Sequence, residues 1–148
     1  MSSPPYYDLE VYSDDPNDAS NLDTYEEFLE LMDDVIGKAV RALKNNRFAV
    51  WEVGDIRDKN GFYRGFPDDI IAIFKKHGMP LYNEIILIDP FGTAPFRANK
   101  SMVYRKTPKV HQNLLVFYKG DDPKKIKDDF QDLAEFNEDF SEELKAED

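Results

Sequence analysis

The chain has 148 residues and a formal net charge of −11, and 41% of its residues are hydrophobic and 14% aromatic. This composition predicts one folded domain, because disordered chains carry far fewer apolar and aromatic residues. The absence of cysteine excludes disulfides and thiolate metal sites. The sequence contains no apolar run of about 18 residues, the length that would predict a membrane span. The first residues do not have the pattern of a signal peptide. We therefore expect a cytoplasmic protein with no membrane contact and no metal.

Acidic residues concentrate in two parts of the sequence, from Asp8 to Asp34 and from Asp128 to Asp148. A protein that binds DNA unaided usually has a basic face, since contacts to phosphates supply most of its affinity. The simplest interpretation of both acidic parts is solvated surface followed by a tail. Docking to a basic partner and mimicry of a nucleic acid are the alternatives.

The first predicted helix follows a loop formed by residues 1–23. Thr24 and Glu27 have the spacing of a capping box, in which each side chain binds the other residue's backbone N–H. Apolar residues then recur on one helical face, from Phe28 onward to Leu43. The pattern predicts a helix over Thr24–Lys44.

The remaining elements alternate between strands and one further helix. They are a strand at Arg47–Val53, a helix from Pro67 to Gly78, a strand at Leu81–Ile88, a long proline-containing loop, and a strand at His111–Tyr118. Alternating strands and helices indicate parallel pairing of the strands, with crossover helices between them. The last two strands have no predicted helix between them, so we expect an antiparallel hairpin.

This order predicts an α/β fold with two parallel strands, an antiparallel hairpin strand at the sheet's edge, and two helices. The apolar runs Phe48–Val53 and Ile85–Ile88 are typical of strands that are covered on both faces. Three strands and two helices cannot supply that cover, so structure is missing on one side of the predicted sheet. Residues 1–125 form the predicted domain, and 126–148 form an acidic tail that is helical or disordered.

A short motif at the beginning of the chain carries a family resemblance. Ser3-Pro4-Pro5-Tyr6 resembles the Asp/Asn/Ser-Pro-Pro-aromatic motif of S-adenosylmethionine-dependent DNA amino-methyltransferases, of the N6-adenine and N4-cytosine types. Residues 3–13, 53–63 and 109–120 also resemble methyltransferase-like proteins of phages and prophages. In that family the motif leaves the fourth strand of a Rossmann-like sheet and precedes a helix, a fifth strand, a helix, a sixth strand and an antiparallel seventh. The resemblance therefore implies the carboxy-terminal half of such a sheet, in a bacterium or a phage-infected host.

The resemblance also implies a chemical role for each residue of the motif. Ser3 and the carbonyl of Pro4 would accept hydrogen bonds from an exocyclic base amine, while Pro5 stiffens the loop. Tyr6 would stack on a base flipped out of the duplex. Serine at the first position of the motif, Ser3, slightly favours cytosine N4 over adenine N6 as the target. Tyr7 is either a second stacking surface or a core anchor.

Two other groups of residues are candidates for substrate or DNA binding. Asp55 and Arg57 follow the first predicted strand, at the strand end where open α/β sheets bind ligands. The long loop contains no acid among residues 90–109, in an otherwise acidic chain. Its cationic residues could contact the DNA backbone or target base, or form an ordinary solvated loop, and they are Arg97, Lys100, Arg105, Lys106 and Lys109.

The sequence departs from the family where the cofactor would bind. No glycine-rich loop is present, because the seven glycines are scattered from Gly37 onward, and no acidic residue is identified for the cofactor's ribose. We therefore expect the amino-terminal half to be missing, and S-adenosylmethionine to bind only with a complementing segment. A second chain or a homo-oligomer would complete the sheet. The alternative function is a non-catalytic acidic binding protein, or a phage structural protein, derived from the methyltransferase fold.

Overall fold

The computed structural model describes residues 1–9, 12–15, 18–90, 92 and 94–130. The helices are α1 (Tyr25–Ala42), α2 (Phe66–Lys76), α3 (Ala94–Met102) and α4 (Ile126–Asp129). The strands are β1 (Arg47–Val53), β2 (Leu81–Ile88) and β3 (His111–Lys119). Short 3-10 turns lie at Tyr7–Leu9, Ala19–Asn21 and Pro123–Lys125. The predicted acidic tail lies mostly outside the described residues, apart from α4 and Phe130.

The capping box predicted for α1 is confirmed. The Thr24 hydroxyl accepts a hydrogen bond from the Glu27 backbone N–H at 3.2 Å, and the Glu27 carboxylate accepts one from the Thr24 N–H at 3.1 Å. These two bonds satisfy donors that have no partner inside the helix. The helix then buries its apolar face, which includes Phe28, Met32 and Ile36.

The sheet has the strand order β1-β3-β2, and β3 is antiparallel to both of its neighbours. The α/β class and the antiparallel pairing of β2 with β3 are confirmed. The predicted parallel pairing is wrong, because β1 and β2 run in the same direction but each pairs with β3 between them. The predicted position of the antiparallel strand at the edge is wrong, because β3 lies between the other two. The central position buries Leu115 and Phe117 of β3 almost completely, whereas β2 is exposed along its whole length.

Helices α1 and α2 pack on one face of the sheet and form the core there. Their apolar residues meet Trp51 and Val53 of β1 and Leu115 and Phe117 of β3. Phe74 of α2 is stacked on Phe117, with ring centroids 3.8 Å apart. Because both helices lie on one face, the sheet residues that alternate with these point to the opposite side.

The loop predicted at residues 90–109 contains a helix, α3, so the prediction of only two helices is wrong. Pro95 is tolerated because the first turn of a helix needs no backbone N–H from it. No residue of α3 is buried. An exposed helix needs no apolar stripe, so hydrophobic periodicity did not predict α3.

Candidate active site

The motif at the beginning of the chain is held against the sheet by backbone hydrogen bonds. Ser2 forms a parallel bridge with Trp51 of β1. The Ser2 N–H donates to the Val50 carbonyl at 3.0 Å, and the Glu52 N–H donates to the Ser2 carbonyl at 2.9 Å. Ser2 therefore lies beside β1 and runs parallel to it, and the residues of the motif leave the sheet from there, near the carboxyl end of β1.

Within the motif, Pro4 is buried, Ser3 is exposed, and Pro5 and Tyr6 are half-buried. The Tyr6 hydroxyl donates to the amide oxygen of Gln112 at 3.4 Å. Its ring meets Phe66 edge-on, with centroids 6.1 Å apart and an interplanar angle of 65°. The ring is thus oriented from two sides, by the start of β3 and by the start of α2.

Tyr7, in contrast, belongs to the core. Its side chain is packed against the rings of Tyr25 and Phe28, at centroid distances of 5.6 and 5.5 Å. Its hydroxyl donates to the Asp23 carbonyl at 3.1 Å, and burial raises the pKa of this phenol. Of the two interpretations of Tyr7, this geometry favours the core anchor over a second stacking surface.

Asp55 lies at the carboxyl end of β1 and fixes the beginning of α2. Its Oδ1 accepts hydrogen bonds from the backbone N–H groups of Gly65 at 3.0 Å and Phe66 at 3.3 Å. Gly65 is the N-cap residue, has φ +81°, and offers no side chain for capping. The carboxylate of Asp55 therefore acts as the cap of α2 from a distant position in the sequence.

Replacing Asp55 by alanine should lower the free energy of unfolding by about 1 kcal/mol, the usual effect of removing a cap. Asp55→Asn should lose less than half of this, because its amide oxygen accepts the same bonds. Urea denaturation of the two variants measures the difference, with Asp68→Ala, an exposed residue in the same helix turn, as the control. Equal losses for Ala and Asn would contradict the capping role.

Gly54 permits a close approach between β1 and the beginning of β3. A Cβ atom at Gly54 would overlap the amide oxygen of Gln112 and lie 3.2 Å from Lys109 Nζ. Burial lowers the pKa of the Lys109 ammonium, against the opposing effect of the nearby Asp55 and Asp89 carboxylates. Because position 54 has no side chain, the polar ends of Gln112 and Lys109 can lie beside Tyr6.

Two adjoining cavities open at this end of the sheet. The first, of about 270 Å³, is called the Tyr6 cavity, and its polar lining is Tyr6, Asp55, Asp89, Arg97, Lys109 and Gln112. The second, of about 240 Å³, is called the Arg57 cavity, and its polar or aromatic lining is Asp55, Arg57, Tyr63, Arg97, Ser101, Lys106, Thr107 and Lys109. Asp55, Arg97 and Lys109 line both. A larger depression, of about 360 Å³, lies between α1 and α2 and contains none of the predicted site residues.

The structure divides the predicted cationic residues into two groups. Arg57, Arg97, Lys106 and Lys109 line the Arg57 cavity, whereas Lys100 and Arg105 are exposed and line neither cavity. Arg97 lies 3.7 Å from the Asp89 carboxylate. The sequence therefore predicted part of the cluster, and the fold selects which side chains converge.

Gln112, Asp89 and Tyr63 line these cavities and were not predicted from the sequence. Asp89 and Gln112 lie at the facing ends of β2 and β3, where the Asp89 N–H donates to the Val110 carbonyl at 2.9 Å. Knowledge of the hairpin register would have placed them together. Among the described residues, no group of three His, Cys, Asp or Glu side chains could hold a metal ion, and no helix is long and apolar enough to cross a membrane.

Comparisons with known proteins concern the family and the fold of the chain. The family model described as DNA methylase, of the N6/N4 type, matches residues 1–146. No curated protein matches the chain significantly. Structures of TTHA0409 from Thermus thermophilus, assigned as a DNA modification methylase, are similar in fold. The form complexed with S-adenosyl-L-methionine has a TM-score of 0.57 and 21% identity, over 81% of this chain and 44% of that one.

A second structure of TTHA0409 has a TM-score of 0.54 and 22% identity, again over 81% of this chain and 44% of that one. The chain thus spans less than half the length of the protein it resembles. At this level of identity the likeness extends to the fold, which is that of part of a methylase sheet.

Proposed function

This chain belongs to the DNA methylase family, and from that premise we propose that it holds the target base of an S-adenosylmethionine-dependent DNA amino-methyltransferase. One observation carries the proposal. The Ser3-Pro4-Pro5-Tyr6 motif leaves a position parallel to β1 and brings Tyr6 to a cavity at the carboxyl ends of β1 and β2. Ligands of open α/β sheets bind at this end of the strands.

The residues of the motif suit an exocyclic base amine. The amine's lone pair is delocalised into the ring, so it reacts only when hydrogen-bond acceptors orient it. The exposed Ser3 hydroxyl and the Pro4 carbonyl supply acceptors, and Tyr6 supplies a flat apolar surface for the ring. The cofactor, when bound, supplies the methyl group, which is activated because it is bonded to a sulfonium sulfur. Ser3 favours cytosine N4 as the acceptor, and adenine N6 is the alternative.

The residues that the structure describes do not fit the cofactor itself. The close-approach glycine at the carboxyl end of β1, Gly54, is already covered by Gln112 and Lys109. The other six glycines are scattered. The cofactor loop therefore belongs to a further segment, either in the same longer protein or in a second chain, and DNA is the substrate of the completed enzyme.

The edge of β1 away from β3 is where such a segment would dock. Beside the bridge at Ser2, an apolar groove of about 200 Å³ is lined by Leu43, Phe48, Val50 and Trp51, among others. On the face opposite α1 and α2, Val50 is half-buried, and Ile85 of β2 is 52% exposed. A further segment could add a strand at this edge and place its own helices on the face opposite α1 and α2, and it would then cover this apolar surface.

Titration of the purified chain with S-adenosylmethionine tests where the cofactor is held. Calorimetry should detect no binding at micromolar concentrations, since no described residue offers a cradle for the cofactor. Micromolar binding by this chain alone would contradict the need for a further segment. The assignment of the base cavity would remain, because it rests on Tyr6 and not on the cofactor.

A further inference from the structure

We infer that the Tyr6 cavity and the Arg57 cavity together hold one nucleotide of single-stranded or flipped-out DNA, with its base beside Tyr6 and its phosphate beside Arg57. The inference rests on the proposed function for the base, and adds the phosphate site and its residues. The two cavities share Asp55, Arg97 and Lys109, so a ligand that fills both passes between these side chains.

The charge of the Arg57 cavity favours an anion. Four cationic side chains line it, from Arg57, Arg97, Lys106 and Lys109, and Asp55 is the carboxylate in its lining. The Oδ1 atom of Asp55 is occupied by the backbone of α2. Arg97 forms an ion pair with Asp89 at 3.7 Å, so Arg57 and Lys106 are the cations on which the phosphate site rests. In a chain with a net charge of −11, the lining of this cavity therefore has a local excess of positive charge.

Arg57 is held in position before any ligand binds. Its guanidinium lies over the Tyr63 ring, 3.8 Å from the centroid, and donates to the Gly61 carbonyl at 2.9 Å. An isolated antiparallel bridge joins Arg57 to Tyr63 and closes the turn between them. A guanidinium with one N–H occupied keeps others for bidentate bonds to phosphate, and its fixed geometry reduces the entropy lost on binding.

Lys106 reaches the same point from the other side of the cavity. A Cβ atom at Gly61 would overlap Lys106 Nζ, so the ammonium lies directly against the turn that carries Arg57. Gly61 has φ +88°, a conformation that favours glycine. The turn therefore brings a guanidinium and an ammonium together, although their residues are distant in sequence.

Lys109 lies between the two cavities and lines both. Burial lowers the pKa of its ammonium, and the nearby Asp55 and Asp89 carboxylates oppose this effect without a hydrogen bond to it among the described residues. A partly desolvated cation gains more from a hydrogen-bonded anionic ligand than a solvated one does. This position suits the junction between the sugar and the phosphate of a bound nucleotide.

The size of the combined site also fits one nucleotide. Sites for small molecules usually have roughly 300–1,000 Å³. Each cavity alone, at about 270 and 240 Å³, is below that range, whereas the two joined are within it. A base alone would leave the Arg57 cavity empty.

The test compares the binding of 2′-deoxycytidine, its 3′,5′-bisphosphate, and inorganic phosphate to the chain at low salt, by calorimetry or NMR. The bisphosphate carries both possible phosphates, so the test does not depend on which one binds. We expect it to bind about tenfold more tightly than the nucleoside, through charge-assisted bonds. Binding of 2′-deoxyadenosine and of its 3′,5′-bisphosphate is measured in parallel.

Variants separate the two cavities. Arg57→Ala and Lys106→Gln should each remove most of the gain from the phosphates and leave nucleoside binding unchanged. Tyr6→Ala should weaken the nucleoside and the bisphosphate alike. Lys100→Ala and Arg105→Ala change equal charges outside the cavities and serve as matched controls, with expected effects below twofold. Circular dichroism verifies that each variant is folded.

Each outcome decides the inference. If the bisphosphate binds no more tightly than the nucleoside, the phosphate site is refuted and the base cavity stands. If the control variants weaken bisphosphate binding as much as Arg57→Ala does, the effect is general electrostatic attraction and the inference fails. If the bisphosphate binds no better than inorganic phosphate, and Tyr6→Ala has no effect, both the inference and the base cavity are wrong.

Discussion

Replacing Phe74 by alanine is expected to lower the free energy of unfolding by about 3–5 kcal/mol, the range for removing a large aromatic side chain from a packed core. Phe74 is 1% exposed. Its ring lies 3.8 Å from that of Phe117, with an interplanar angle of 10°, and meets Trp51 edge-on at 5.4 Å. One side chain thus joins α2 to two strands of the sheet. Aromatic pairs of this kind add to the effect of burial.

Urea denaturation of Phe74→Ala measures this loss, and Phe62→Ala is the matched control. Phe62 is 73% exposed, so the same substitution there should change the free energy by less than about 0.5 kcal/mol. Domains of this size are stable by roughly 5–15 kcal/mol, so Phe74→Ala should lose about a fifth or more of the total and unfold at a clearly lower urea concentration. A loss below about 1 kcal/mol would show that α2 is not fixed to the sheet through this contact.

The elements with strong local signals were predicted well from the sequence. The strand predicted at Arg47–Val53 has these bounds in the structure, and so does Leu81–Ile88. Both are short apolar runs between residues that favour turns, so local preference and tertiary packing agree. For α1 the capping residue fixes the beginning, and the end differs from the prediction by two residues, at Ala42 instead of Lys44.

The place of β3 could not be predicted in the same way. A hairpin partner can lie on either side of the preceding strand, and the local sequence is the same in both cases. The choice depends on long-range burial, here of Leu115 and Phe117 beneath α2. Helix α3 was missed for a related reason, since none of its residues is buried.

The candidate site shows the same division between local and long-range information. The motif at Ser3–Tyr6 was found from a resemblance, and Asp55 from its place after a strand. The role of Asp55 as a cap depends on Gly65, ten residues away, and the separation of Arg57 and Lys106 from Lys100 and Arg105 depends on the fold. Residue type predicted which side chains could bind DNA, and the tertiary structure decides which ones converge.

Production of this chain together with a segment that carries a glycine-rich cofactor loop is expected to yield methylated DNA, whereas neither part alone should do so. The added segment would hold the cofactor, and this chain would hold the amine beside Ser3 and Tyr6. Digestion of the DNA to nucleosides, followed by mass spectrometry, detects the product. It also distinguishes N4-methylcytosine from N6-methyladenine, and Ser3 favours the first.

Substitutions at Tyr6 make this assay specific for the proposed site. Tyr6→Ala removes the surface on which the base would stack, and a misplaced base reacts slowly, so we expect the rate to fall by about 100-fold or more. Tyr6→Phe keeps the ring and loses the 3.4 Å hydrogen bond from the hydroxyl to Gln112, so most activity should remain. Tyr12→Ala, at an exposed tyrosine, is the control. If Tyr6→Ala kept full activity, the base would not be held by Tyr6 and the proposed site would be wrong. If no cofactor segment restored methylation, the non-catalytic binding protein would be the better interpretation.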